Sequence, residues 1–297
     1  MSNVTLQESS ELVPTYKKKS QKAEVWRRFC RNKKAVVGLI MLCVLIFAAI
    51  FAQYIAPYDP IEQNLKNRLQ KPSVEHIFGT DELGRDILSR VIYGSRISVS
   101  VGLIAVGIAC LLGGFLGAIA GYYGGSLDNV IMRFMDIAMA IPSILLNIAI
   151  VSALGSGLQN MMIAIGISTM PRYCRIMRSS IMSVRDQEFV EASKAAGASD
   201  FFIITQHIIP NSMAPMIVQI SMSVGTAILS CASLSFIGLG IEPPTPEWGA
   251  MLSTGRDFIR NSPHITTFPG AAIMFAIYAM NLIGDGLRDA LDPKLKD

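Results

Sequence analysis

Few residues in this chain are spaced for chemistry on a substrate. No Gly-x-x-x-x-Gly-Lys-Ser/Thr run occurs, so the usual backbone cradle for nucleotide phosphates is missing. Gly-x-Ser-x-Gly and His-Glu-x-x-His are also absent. Cys30, Cys43, Cys110, Cys174 and Cys231 are scattered without a Cys-x-x-Cys, and His76, His207 and His264 lack ligand spacing. The cysteines read as small packing residues, and neither a metal nor a cofactor is expected. The stretch that stands out is polar, Glu188 to Asn211, and its residue types suit docking rather than catalysis. Asp186 is placed to cap a short helix over Gln187 to Ala196. Gly197 ends it, because glycine tolerates the positive φ of a helix terminus. Ser199 caps a second helix, Asp200 to about Ile208, and Pro210 suits the first turn of the element that follows. The first helix has an apolar face (Phe189, Val190, Ala192, Ala196) and a polar one (Glu188, Glu191, Lys194).

The elements that must position this stretch are apolar. The chain has 297 residues, of which 51% are hydrophobic and 16% charged, with a mean hydropathy of +0.44. A soluble domain carries about 25% charged residues, so this is the composition of a multi-span membrane protein. Six spans are expected: Ala35–Tyr54, about Ile97–Tyr122, Ile131–Ala153 with Asp136 and Pro142 inside, Asn160–Met177 interrupted by Pro171, Pro215–Ile237, and Phe268–Ile283. The first of these is too long and starts too late for a cleaved signal peptide. Gly113, Gly117 and Gly121 repeat at every fourth position and line one helix face, where a second helix can approach closely.

Charge sets the topology. Nine Lys or Arg lie between Lys17 and Lys34, just before the first span. They read as a signal held in the cytoplasm rather than a nucleic-acid site, since no aromatic platform or fold motif follows. With six spans and the N-terminus inside, the inner segments hold 18 Lys and Arg against 8 outside. That places both termini and the Glu191 loop in the cytoplasm. The divisions are a basic tail (1–34), a first helix (35–54), an outer loop (55–96), a five-helix core (97–286) with a cytoplasmic loop (185–211), and a short tail (287–297). Asp136 is read as pairing with Arg133 or lying at the interface. Asn147, Gln219 and Asn281 either line a wet pathway or bond between helices.

Glu191-Ala192-Ser193, Gly197 and Ile209-Pro210 together resemble the EAA signature of ABC importer permeases. Ser193, His207 and Ile209 depart from its commonest residues, and the spacings agree. Phe78-Gly79-Thr80-Asp81-Glu82-Leu83-Gly84-Arg85-Asp86 is similar to the entry motif of the C-type permease of dipeptide and oligopeptide importers. Pro243-Pro244-Thr245-Pro246-Glu247-Trp248-Gly249 is similar to that subfamily's external loop, with Glu242 where Gln is common. Gly284 to Pro293 is similar to its C-terminus. Read without the resemblance, the first of these segments is a charged, solvated turn. In the second, Trp248 is an interface anchor in a proline-stiffened loop.

The resemblance implies an all-α ABC type I importer permease in a bacterial inner membrane. Its partners are a second permease, two ABC ATPases that bind ATP and Mg, an extracytoplasmic solute-binding protein, and membrane lipid. It has no enzyme activity of its own. Glu191 to Gly197 is then the helix seated in an ATPase cleft, and the outer segments meet the binding protein and close the pathway. Di- or oligopeptides are the implied solute, with nickel or glutathione as alternatives on the same architecture. A stand-alone secondary transporter is the rival class, and it should show internal repeats and buried ion-binding carboxylates.

Overall fold

The computed structural model describes residues 21–241 and 243–292; residues 1–20, Glu242 and residues 293–297 lie outside. Lys17, Lys18 and Lys19 of the basic tail therefore fall outside the described residues. Twelve helices follow in order: α1 (Gln21–Arg31), α2 (Lys33–Ile50), α3 (Ala52–Ile55), α4 (Ile87–Tyr123), α5 (Gly125–Ala140), α6 (Ser143–Leu154), α7 (Leu158–Arg185), α8 (Glu188–Ala195), α9 (Asp200–Phe202), α10 (Ile209–Phe236), α11 (Trp248–Gly255) and α12 (His264–Leu291). No strand is present among the described residues.

Among the described residues, four helical stretches are long and apolar enough to cross a membrane: α2, α4, Asp200–Phe236 and α12. A fifth arises if α5 and α6 together count as one crossing. That pair is where the structure departs most from an unbroken span. It bends by 93° at Ile141, whose ψ of 127° is extended. Pro142 follows, and a proline drives the residue before it out of the helical region. Pro171, by contrast, does not interrupt α7, which runs through it for 28 residues. Four arginines (Arg172, Arg175, Arg178, Arg185) keep α7 below the hydropathy of its neighbours.

Other boundaries also shift. The second long helix begins at Ile87, ten residues before the expected start, because Asp86 caps it by accepting from the Ser89 N–H at 2.8 Å. At 37 residues and about 1.5 Å per residue, α4 is longer than a bilayer core is thick. The basic helix ends at Arg31, and Asn32 caps α2 by accepting from Lys34 and Ala35 N–H. Helix α5 starts at Gly125, several residues before the expected Ile131. The expected stop near Ile208 does not occur. Ile203–Ile208 is a π-helical stretch, and it joins α9 to α10 in one helix of 37 residues. The Ile209 N–H reaches back five residues to the Ile204 carbonyl. This widened turn passes the chain into Pro210, which has no N–H to satisfy.

The core sits between α4, α7 and α10. A β-carbon at Gly113, Gly117 or Gly121 would lie 2.8, 2.9 and 3.0 Å from those of Tyr173, Met177 and Ile181. It would be closer still to the carbonyls of Met170, Cys174 and Arg178. Helix α7 therefore lies directly on the glycine face of α4. On the far side α2 packs on α12, where Gly38 meets Leu282, and Asn32 donates to Asp289 at 3.0 Å. Val37, Ile40, Val44 and Phe47 of α2 stay exposed. Such an apolar outer face suits lipid or another membrane subunit.

This seam yields a test. Gly117→Val should overpack it, costing about 1–3 kcal/mol and lowering the melting temperature of the detergent-purified protein. Gly107→Ala, with no atom within 4 Å of its added β-carbon, should leave the melting temperature unchanged. Equal melting of the two variants would contradict the seam.

Candidate functional site

The polar stretch of the sequence is a compact, anchored hairpin. Helix α8 starts one residue later than expected and has no side-chain cap, since its N-cap position is Gln187. Asp186 instead closes α7 and pairs with Arg185 at 3.0 Å. The C-terminus is closed by two bonds. Gly197 N–H donates to Lys194 O at 2.9 Å and Ala198 N–H to Ser193 O at 3.1 Å, the crossed pair of a Schellman turn. Gly197 has φ +80° and open space around it. Backbone conformation, not crowding, therefore demands glycine here. Ser199 caps the next turn by accepting from Phe202 N–H.

Several contacts tie this hairpin to the end of the α4–α7 seam. Val190 is fully buried. Arg185 donates to the carbonyls of Gly121 and Tyr122 at 3.0 and 3.2 Å, satisfying the exposed end of α4. The Tyr122 hydroxyl donates to Asp200 at 2.6 Å, and Lys194 sits over the Tyr122 ring. Arg178 holds Asp128 of α5 with two bonds of 2.5 and 2.6 Å. Ile209 and Pro210 enter α10 from the same hairpin. The opposite side is free: Glu188, Glu191 and Ala192 are exposed. Phe201 beside them is 78% exposed. His207 packs edge-on to Phe189 and Phe202.

The second cluster lies before α4, and it is not a solvated turn. Asp81, Arg85 and Asp86 are all buried. Asp81 accepts from the N–H groups of Leu83 and Arg85 at 2.9 Å each and from the Arg85 side chain at 2.6 Å. Arg90 stands 3.5 Å from the same carboxylate and donates to the Pro60 carbonyl at 2.9 Å. His76 Nδ1 lies 2.9 Å from Asp86. Thr80 accepts from Gln70 N–H at 2.9 Å and donates to the Asn67 carbonyl. Gly79 and Gly84 both hold positive φ, and a β-carbon at Gly84 would strike the Asn64 carbonyl. Burial follows from closure. The loop folds back on itself, so its charges face each other rather than water.

The third segment locks onto the second. Arg90 also reaches the Pro244 carbonyl at 3.4 Å, and Pro246 is buried beside Glu247. Pro243 stays exposed. Trp248 is not an interface anchor: it is 1% exposed, and its indole N–H donates to Val91 O at 2.9 Å. Glycine at Gly94 makes room for that ring. Glu247 is fully buried and caps α11 through Gly249 and Ala250 N–H, while Ser98 donates to it at 3.3 Å. Gly249 packs against Ala232 of α10. Phe78 stacks on Phe268 of α12 at 3.9 Å. Tyr58, whose N–H donates to the Ser89 hydroxyl at 3.1 Å, Arg90 and Phe268 join this block without having been singled out in the sequence, because their partners are far away in the chain. Asp136 pairs across to Arg175 of α7 at 2.5 Å rather than with Arg133 on its own helix. Gln219 donates to Ser223 at 2.7 Å, Asn281 is exposed, and Asn147 is buried.

Known proteins agree with this layout. The profile described as "Binding-protein-dependent transport system inner membrane component" matches residues 113–297. The chain belongs to that family. A second profile, the N-terminal TM domain of oligopeptide transport permease C, matches residues 20–72. The chain is 51% identical to the "Dipeptide transport system permease protein DppC" of Alkalihalophilus pseudofirmus, over 92% of this chain and 90% of the relative. It is 47% identical to the "Glutathione transport system permease protein GsiD" of Escherichia coli O6:K15:H31, with 92% and 90% covered. The inward-facing MetNI methionine ABC transporter shares its fold at TM-score 0.58 and 15% identity, covering 69% of this chain and 98% of that one. This family member is thus a multi-pass membrane permease with the helical fold of ABC importers. In the permease, the two polar clusters sit at opposite ends of α4, one before its first turn and one at its last.

The buried ionic cluster of the permease generates a prediction. Asp81→Asn removes the buried carboxylate that Arg85 and Arg90 share, leaving Arg85 with Glu82 alone and Arg90 with no carboxylate, and breaking one partner out of a buried ion pair costs about 3–5 kcal/mol. Limited proteolysis should cut within 55–96 much faster in this variant, whereas Glu75→Gln, at an exposed position, should match the parent. Unchanged proteolysis of Asp81→Asn would contradict the cluster's role.

Proposed function

We propose that the chain is one of two membrane subunits of an ATP-driven importer of short peptides. The observation that carries this is the anchored α8 hairpin in a chain with half its residues identical to a dipeptide permease. The bent α5–α6 pair and the arginine-bearing α7 bring the crossings to six, with both termini in the cytoplasm. The excess of Lys and Arg on the inner segments supports that orientation. A second permease of similar fold completes the pathway. Two ABC ATPases bind ATP and Mg and hydrolyse the nucleotide, and an extracytoplasmic binding protein delivers solute.

Glu191, Ala192 and Phe201 form the surface offered to one ATPase. The hairpin's fixed bonds to α4 and α7 favour transmission of that subunit's movement into the bundle, as a ligand must favour one state to shift an equilibrium. At the other end, Asp81, Arg85, Asp86 and the Pro243–Gly249 segment make a stiff platform for the binding protein. Glutathione is a second reading, supported by the relative at 47% identity that is named for its transport. It is itself a short peptide.

Two variants test the coupling role. Gly197→Pro removes the N–H bonded to Lys194 O and forbids φ +80°. It should abolish ATP-dependent uptake while the protein remains in the membrane. Glu191→Lys should reduce ATPase co-purification at least several-fold. Parental uptake by the first variant, or undiminished co-purification by the second, would contradict the coupling assignment.

A further inference from the structure

A cavity of about 420 Å³ lies at the bend between α5 and α6, within the roughly 300–1,000 Å³ of small-molecule sites. Ser143, Asn147, Ser168, Thr169, Arg172, Thr226 and Ser230 supply its polar lining. Asn147 is 2% exposed, and its Oδ1 has no hydrogen-bond partner. That oxygen is itself sealed off, so the amide edge left to reach the space is Nδ2, a donor. Ser168 and Thr169 donate their protons to the Ile165 carbonyl, and Thr226 donates to Ser223 O. These three hydroxyls therefore present lone pairs to the space.

Arg172 supplies the opposite polarity. It stands about midway along α7 and is the first of three arginines at three-residue spacing. The other two are neutralised: Arg175 by Asp136 and Arg178 by Asp128. Arg172 forms no hydrogen bond or ion pair among the described residues. Arg172 is exposed in the single chain, and no carboxylate is among the residues that line the cavity. Guanidinium geometry favours a carboxylate held by two parallel bonds.

We propose that this cavity is a transit subsite for a solute bearing a carboxylate. Arg172 and Asn147 Nδ2 bind the carboxylate, and the hydroxyl oxygens accept the neighbouring N–H groups. The inference rests on the peptide-importer reading and sharpens it. A free peptide terminus next to an amide carries both chemistries, whereas a hydrated metal cation is repelled by Arg172.

The test uses the complete transporter, with its binding protein and ATPases, in sealed proteoliposomes. Peptide uptake and ATP hydrolysis stimulated by the loaded binding protein are measured together. Arg172→Gln should lower uptake at least tenfold while stimulated hydrolysis stays within twofold of the parent, and Arg172→Lys should restore part of the uptake. Asn147→Leu removes an amide whose oxygen makes no bond within the chain, so it should assemble normally and reduce uptake several-fold. Parental uptake by Arg172→Gln would overturn the subsite. So would loss of assembly and hydrolysis along with uptake, which would make Arg172 an anchor for the second permease. Absence of ATP-driven peptide uptake by the parental complex would overturn the peptide reading itself.

Discussion

The contact on which the rest of the structure depends is the close apposition of α4 and α7 along Gly113, Gly117 and Gly121. Lipid tails are as apolar as leucine, so helices in a bilayer gain little from burying apolar side chains against each other. They associate where their surfaces fit closely. Here three missing β-carbons let backbone meet backbone over two helical turns. The functional stretch hangs from the end of this seam. Arg185 terminates α7 and at the same time caps α4, so a single side chain joins the two helices and fixes the start of α8. Tyr122 then reaches from the last turn of α4 to Asp200 on the other side of the hairpin. A force applied to α8 is therefore borne by both helices of the seam.

Polar groups divide into those that are closed and those that are open. Before the first turn of α4 the carboxylates are closed: Asp81 accepts from two amides and an arginine, and Glu247 from two amides and a serine. These bonds hold the segment in one arrangement, with Glu82 Oε2 and Arg90 Nε the buried atoms of the cluster left without a hydrogen bond. At the α5–α6 bend the polar groups are open, with hydroxyls lining the cavity and the exposed Arg172 forming no ion pair among the described residues. A pathway needs such a contrast. Its walls must hold their shape, and the surfaces along the route must remain available to something that passes.

Much of the fold was legible in the sequence because its signals are local. Four-residue glycine spacing announces a helix face, Ser199 announces a cap, and Gly197 announces a left-handed turn. The long apolar runs announce helices. Failures arose where a local signal competed with a distant partner. Asp186 has the right chemistry for a cap, and Arg185 takes it instead. Asp136 had a plausible partner one turn away in Arg133, and the packing of α5 against α7 supplied Arg175. Pro142 and Pro171 look alike in sequence, yet only Pro142 breaks its helix. Burial of Asp81, Arg85 and Trp248 could not be read from composition, because a charged turn and a closed ionic loop have the same residues.

The central claim is that α8 moves with the α4–α7 seam as one body. Spin labels at Ala195 on α8 and Leu111 on α4, both exposed positions, with Cys30 and Cys43 replaced, measure it by pulsed electron resonance in the assembled transporter. The account predicts that the Ala195–Leu111 distance stays the same with and without bound ATP. A matching pair of labels on α8 and the second permease should shorten as ATP binds. If instead the Ala195–Leu111 distance changes on ATP binding while the distance between permeases does not, the hairpin moves independently of the bundle and the account is contradicted.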